Sequence, residues 1–118
     1  MFDSFPTTPQ CIKEKLCEAR AILADSNTKE SIRVAASRYI RRLTQCIYLN
    51  ITIEDWDPKE LRKMLDEADL GINAMQEHKG IVVKEVEKYH VIGTTADAII
   101  QDCKSRIFTV RQQAEIFS

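Results

Sequence analysis

The sequence contains few of the residues that interrupt regular structure. Only three glycines and three prolines occur in 118 residues, which is about half the average usage of these two types. An all-β chain would need many more turn residues, so a sheet architecture is excluded. No aliphatic run exceeds the four residues from Ala21 to Ala24, whereas a transmembrane helix needs about 20. A membrane-spanning chain is therefore not expected.

Neither sign of charge is in excess. The chain has 17 Lys and Arg against 18 Asp and Glu, and its pI is about 6.1, whereas nucleic-acid-binding domains are commonly basic. Hydrophobic residues make up 44% of the sequence, which is ordinary for a folded protein and argues against intrinsic disorder. A folded domain of balanced charge is expected.

The cysteines follow no standard metal-binding pattern. Cys11, Cys17, Cys46 and Cys103 include no C-x-x-C pair and lie far from both histidines in the sequence, so no zinc motif forms. Four unpaired thiols indicate a reducing compartment. We expect a cytoplasmic protein that binds neither a metal nor a cofactor.

The length of the chain indicates one domain. A chain of this size buries roughly two-thirds of the surface that it exposes when unfolded, which is enough for a single core. We predict a flexible N-terminal segment over residues 1–8 and one helical bundle domain over residues 9–118. The first six residues have neither the basic start nor the apolar stretch of a secretion signal.

Apolar residues recur with helical spacing along most of the chain. The first helix is predicted to begin at Thr8 and Pro9, since Thr caps free amides and Pro suits the first helical position. Asn27 and Glu30 form a capping box that predicts the start of the second helix. The apolar stripe of the first helix is Ile12, Leu16, Ala19 and Leu23, and that of the second is Ile32, Ala36, Tyr39, Leu43 and Cys46, with Ile40 and Ile47 beside it.

The third helix has the strongest start signal. After a short extended connector over residues 50–55, Asp57 precedes Pro58 in the arrangement of a helix cap, and Trp56 can pack on Leu61 as a hydrophobic staple.

The third helix is also predicted to be long. From Leu61 onward apolar residues follow alternating steps of four and three, and only Lys79 is out of phase. This pattern favours one helix over residues 58–90, with a possible bend near Gly80. The alternative is a break at Gly80, which would give a compact five-helix monomer.

The last helix is predicted to begin after Gly93, with Thr94 as its cap and Asp97 three residues later. Ile99 and Phe108 are expected to broaden its apolar face, and the stripe itself is Ala96, Ile100, Cys103, Ile107, Val110, Ala114 and Phe117. The predicted fold is therefore all-α, a four-helix antiparallel bundle with a long third helix.

The long third helix predicts self-association. At ~50 Å it would be about twice as long as the first helix, so the rest of the chain would leave part of its apolar stripe uncovered. A second copy of the chain is the expected cover, because the two-fold dimer is the commonest oligomer. The predicted seam of this homodimer consists of Val82, Val86 and Tyr89.

Catalysis has little support in the sequence. No Ser, Cys or Lys is flanked by a recognisable base or a glycine-rich turn, so no nucleophile arrangement can be drawn from the spacing. The chain is predicted not to be an enzyme. It is predicted instead to be a protein-binding module, namely a small adaptor, assembly factor or inhibitor that acts by occupying the surface of a partner protein.

The acidic connector before the third helix is one candidate partner contact. Trp56 follows Glu54 and Asp55, and Trp is enriched among the residues that contribute most to binding. Packing of the indole on Leu61 is the alternative role, and the two roles are compatible if one face of the indole stays exposed.

A group of arginines on the second helix is the other candidate contact. Arg38, Arg41 and Arg42 lie within about one turn of each other, and Arg is enriched at protein interfaces. Arginines in this arrangement can also neutralise phosphates, so a nucleic-acid-binding protein is the alternative function.

Overall fold

The computed structural model describes residues 8–50, 56–89 and 94–116, and regular structure within these ranges is entirely helical. This confirms the all-α class. The described residues form five helices rather than the predicted four: α1 (Pro9–Ala24), α2 (Glu30–Asn50), α3 (Pro58–Glu77), α4 (Lys79–Lys88) and α5 (Ala96–Ile116). Most of the predicted N-terminal segment and of the extended connector lies outside the described residues.

Two predicted helix starts are confirmed. The side chain of Thr8 accepts a hydrogen bond from the backbone N–H of Cys11, with 3.2 Å between the two atoms. The Asp57 carboxylate likewise accepts from the N–H of Lys59 at 3.0 Å. Both caps satisfy amides that the first helical turn leaves free.

The predicted capping box of α2 is wrong. The N–H of Asn27 donates to the side chain of Asp25 at 2.9 Å, and the hydroxyl of Thr28 donates to the same carboxylate. Because Asp25 holds this turn closed, the helix begins only at Glu30. The same hydrogen bonds lower the pKa of the Asp25 carboxyl below its usual value, since they favour its charged form.

The predicted cap of α5 is wrong by one residue. The hydroxyl that accepts from the first turn belongs to Thr95 rather than Thr94, and its donor is the N–H of Ala98 at 3.1 Å. This spacing of three residues is the usual reach of a Thr cap.

The predicted long third helix is wrong as well. Helix α3 ends at Glu77 and α4 begins at Lys79, because the backbone of His78 has a ψ of 46°, far from the helical value of about −42°. The alternative with five helices is therefore closer to the structure, although the break lies two residues before Gly80.

Helix α4 lies beside α2 instead of extending α3. The ring of His78 lies 3.4 Å from the guanidinium of Arg33. Further along both helices, Glu85 contacts Ser37. Helices α2 and α4 therefore run in the same direction. The change of direction brings Val82 into the core, where it is fully buried. Burial of such apolar surface offsets the loss of helical continuity.

The helices other than α4 form a ring. Helix α1 packs on α2 and α3, and α5 packs on the same two helices from the other side. Pairs at Asp69–Arg111 and Gln76–Lys104 show that α3 and α5 are antiparallel.

Helices α2 and α5 run parallel, which corrects the prediction of a wholly antiparallel bundle. The Thr44 hydroxyl donates to Sγ of Cys103 at 3.4 Å. One turn further along α2, Tyr48 lines a groove with Ser105 and Thr109, which lie after Cys103 on α5.

The predicted apolar stripes largely form the core, with several exceptions. The stripe residues that are only partly buried are Cys46, Val86, Tyr89 and Ala114. Ile32 is 43% exposed and Phe108 is 61% exposed, whereas Val34, outside the predicted stripe, is buried. The buried residues that lie on or beside the predicted stripes are Ile12, Leu16, Ala19, Leu23, Ala36, Tyr39, Ile40, Leu43, Ile47, Leu61, Leu65, Ala68, Ile72, Met75, Val82, Ala96, Ile99, Ile100, Cys103, Ile107 and Val110.

Among the helices of the described ranges, none combines the length and the apolar character needed to cross a bilayer.

Two glycines lie in the described helices, and they allow a prediction about stability. A Cβ added at Gly80 would meet no atom within 4 Å, so Gly80→Ala should raise the free energy of unfolding by about 0.5 kcal/mol through reduced freedom of the unfolded chain. A Cβ added at Gly71 would lie 3.3 Å from a side-chain carbon of Ile40. Gly71→Ala should therefore raise the free energy of unfolding by less than Gly80→Ala does. Urea unfolding of both variants measures the difference. A more stable Gly71→Ala would contradict this expectation.

Candidate functional site

A buried carboxylate joins α4 to α2. Glu85 is fully buried, and its two oxygens accept hydrogen bonds from the Ser37 hydroxyl at 3.0 Å and from Nε of Arg41 at 2.8 Å. The Arg41 side chain remains 19% exposed. Because a buried charge is costly unless it is paired, Arg41 serves to neutralise Glu85.

Sequence reasoning missed Glu85. In the sequence, Glu85 lies between Val82 and Val86, and it shares one helix face with Val82 and Tyr89. A charged side chain on that apolar face had to be either exposed or paired. The arginines of α2 supplied a possible partner, but their spacing alone did not show which of them faces α4.

The three arginines of the predicted patch have different surroundings. The guanidinium of Arg38 lies 3.8 Å from the ring centroid of Tyr89, in a cation–π contact, and the ammonium of Lys88 lies 5.5 Å from the same centroid. With Arg41 paired to the buried carboxylate, two of the three predicted arginines hold α4 on α2, and Arg42 is exposed.

The predicted dimer seam lies mostly against the core of a single chain. Val82 is fully buried, while Val86 and Tyr89 are half-buried and pack on the core. Val82 thus has no surface left for a second copy. A dimer contact at Val86 and Tyr89 stays a prediction.

The acidic connector is described only at its end. Trp56 is half-buried and packs on the core, to which the buried Leu61 of α3 also belongs. The predicted staple between these two residues stays a prediction. Glu54 and Asp55 lie outside the described residues. Partner binding at this patch therefore stays a prediction.

The four cysteines are free, and they differ in burial. Cys11 and Cys17 are exposed, whereas Cys103 is buried. Burial raises the pKa of the Cys103 thiol, and the hydrogen bond from Thr44 offsets this only in part. Within the three described ranges, no three His, Cys, Asp or Glu side chains are placed to share a metal ion.

These differences predict selective alkylation. With iodoacetamide at pH 8, Cys11 and Cys17 should react readily, and Cys103 should react at least about 100-fold more slowly, because it is buried and its thiolate is disfavoured. Peptide mass spectrometry before and after denaturation measures the labelling of each thiol. Equal labelling of Cys17 and Cys103 in the folded protein would contradict the burial of Cys103.

Among the aromatic residues that the structure describes, Phe108 on α5 has the most exposed side chain. Phe108 borders an open groove of about 390 Å³ between α3 and α5. We call this surface the α5 face, and it comprises Asp69, Gln101, Lys104, Ser105, Phe108 and Arg111.

A second groove lies on the other side of Ser105. It measures about 280 Å³ and lies between α2 and α5, where Tyr48 and Arg106 line it. Tyr48 is itself 45% exposed. Two shallow grooves with exposed aromatic residues thus flank one ridge of α5.

The charged side chains around the α5 face make hydrogen bonds or ion pairs within the chain. Arg111 donates to Asp66 at 3.1 Å and to Asp69 at 2.7 Å. Arg106 pairs with Asp102 at 3.1 Å. The Lys104 ammonium donates to the side-chain oxygen of Gln76 at 2.7 Å. The rim therefore presents organised polar groups without a strong charge of either sign.

Comparison of the chain with protein-family models, with curated proteins and with solved structures finds no match in any of the three.

Proposed function

We propose that the protein is a non-enzymatic protein-binding module, a small adaptor, assembly factor or inhibitor that occupies the surface of a partner protein through the α5 face. The observation that carries this proposal is the exposure of Phe108, which is 61% accessible beside an open groove. An exposed aromatic residue within a polar rim is typical of protein-binding surfaces.

The shape of the grooves supports protein binding over binding of a small molecule. Pockets for small molecules enclose most of their ligand, whereas both grooves along α5 are open and shallow. A partner that contacts Phe108 and Tyr48 together would cover both grooves. The predicted patch at Trp56 remains a second candidate contact.

The four free thiols support the predicted cytoplasmic location as part of the same proposal. Reducing compartments keep thiols unpaired, whereas secreted proteins of this size commonly use disulfides.

A photo-crosslinking amino acid at position 108 tests the proposed surface. In cells that naturally make the protein, irradiation should give a covalent adduct of higher mass, because the side chain would lie against a bound protein. Position 83 on α4 is the matched control, since Val83 is also exposed, at 41%. Absence of an adduct at position 108, or equal adducts at both positions, would contradict the proposal.

The alternative, a nucleic-acid-binding protein, relies on Arg38, Arg41 and Arg42. We rank it second because Arg41 neutralises a buried carboxylate and Arg38 packs on Tyr89. Fluorescence anisotropy with labelled DNA and RNA at low salt should show no binding. Salt-dependent binding that Arg42→Ala weakens would favour this alternative.

A further inference from the structure

We infer that the partner protein binds the α5 face through an amphipathic helix that carries an acidic and a basic residue about two turns apart. Apolar side chains between these two charges would pack on Phe108. The inference rests on the proposed function, because it names the kind of partner that the proposed surface binds. The length of the groove beside Phe108, its helical walls and the charges at its two ends support this partner.

The groove beside Phe108 follows α5 for about three turns. Its lining on this helix runs from Gln101 through Lys104 and Ser105 to Arg111. At about 1.5 Å per residue, this stretch is about 15 Å long. A partner helix of about ten residues therefore spans the groove, with its apolar side on the exposed ring of Phe108.

The walls of the groove favour a helical partner over an extended one. The groove lies between α3 and α5, and the backbone groups in the middle of a helix already bond to one another. An extended partner would bring N–H and C=O groups that find no backbone groups to bond with there. A helix satisfies its own backbone and offers only side chains to the groove.

One end of the groove carries a positive charge. The ammonium of Lys104 donates to the neutral side-chain oxygen of Gln76 at 2.7 Å, and this bond leaves its charge uncompensated. Lys104 lies one turn before Phe108 on the same side of α5, and both residues line the groove. A carboxylate on the partner would thus meet a cation directly beside the apolar contact.

The other end of the groove has an excess of acid. Arg111, about one turn after Phe108, donates to Asp66 at 3.1 Å and to Asp69 at 2.7 Å. One cation is therefore shared by two carboxylates. The side chains of these acids are 69% and 51% exposed, so a cation of the partner can reach them. Because the two ends are about two turns of α5 apart, the complementary helix carries its acid and its base at that separation.

Charge reversal at the positive end tests the chemistry of the partner. In cells that naturally make the protein, with the photo-crosslinking amino acid at position 108, Lys104→Glu should lower the yield of the adduct about tenfold. The reason is that the new carboxylate would face the acid of the partner. Lys104→Arg should retain most of the yield. Lys84→Glu is the matched control, since it makes the same change at an exposed position on α4, and it should leave the yield unchanged.

Charge reversal at the acidic end gives a second test. Asp66→Lys should lower the yield at least about threefold, because it removes the excess of acid and repels the cation of the partner. Circular dichroism should show wild-type helix content for Asp66→Lys and Lys104→Glu, which separates lost binding from unfolding. Peptide mass spectrometry of the adduct should identify a segment with an acid and a base about two turns apart and no proline in its middle.

The outcomes separate this inference from the proposed function. An adduct with another protein that Lys104→Glu does not weaken would overturn the inference and leave the proposed function in place. A crosslinked segment that lacks the acid, or that has proline in its middle, would do the same. An adduct that joins two copies of this chain, or no adduct at all, would overturn both.

Discussion

Val82→Asp should leave the chain largely unfolded, whereas Val83→Asp should fold like the wild type. Val82 is fully buried and its neighbour is 41% exposed, so the same carboxylate enters the core in one variant and water in the other. The buried acid should cost about 4 kcal/mol or more, a large part of the 5–15 kcal/mol that stabilises a typical domain. Circular dichroism and urea unfolding measure the difference.

The result also decides between two roles for Val82. If Val82→Asp folded normally and only separated a dimer into monomers, Val82 would be a seam residue, as the sequence predicts, and its place in the core would be wrong. Unfolding of Val82→Asp that is independent of protein concentration would support its place in the core.

Arg41→Met should lower the free energy of unfolding by about 3 kcal/mol. The substitution keeps much of the side-chain volume but leaves the carboxylate of Glu85 buried, with only the Ser37 hydroxyl as a hydrogen-bond donor. Breaking a buried ion pair by removing one partner is costly because the remaining charge is uncompensated. Urea unfolding at neutral pH gives the measured value.

The double variant Arg41→Met/Glu85→Leu should recover most of the lost stability, because no buried charge remains. Arg42→Met is the matched control on the same helix, and it should change the free energy of unfolding by less than about 1 kcal/mol, since Arg42 is exposed. Equal losses for Arg41→Met and Arg42→Met would show that the ion pair does not hold α4 on α2.

The arginines of α2 illustrate why contacts could not be predicted from spacing. The sequence places Arg38, Arg41 and Arg42 near one another. It also places acidic residues on each of the other four helices. Which arginine meets Glu85 depends on the position of α4 beside α2. That position follows from the break at His78, which the sequence marks only with Gly80 two residues later.

Phe108 is the residue whose exposure, contrary to the sequence pattern, matters most for the proposed function. Beside the apolar stripe of α5, it was expected to widen the buried face. In the bundle, the buried side of α5 includes Cys103 and Ile107. The adjacent ring of Phe108 is left in solvent, where it borders the groove that carries the proposed function.

Local signals determined the all-α class, the starts of α1 and α3, and most core residues. Helical periodicity and capping are properties of neighbouring residues, so they can be read without knowing the fold. Only the tertiary structure decided that the third helix breaks at His78, that Glu85 is buried and that Phe108 is exposed. These three features depend on which helices pack together, since the apolar burial and charge pairing that produce them join residues far apart in the sequence.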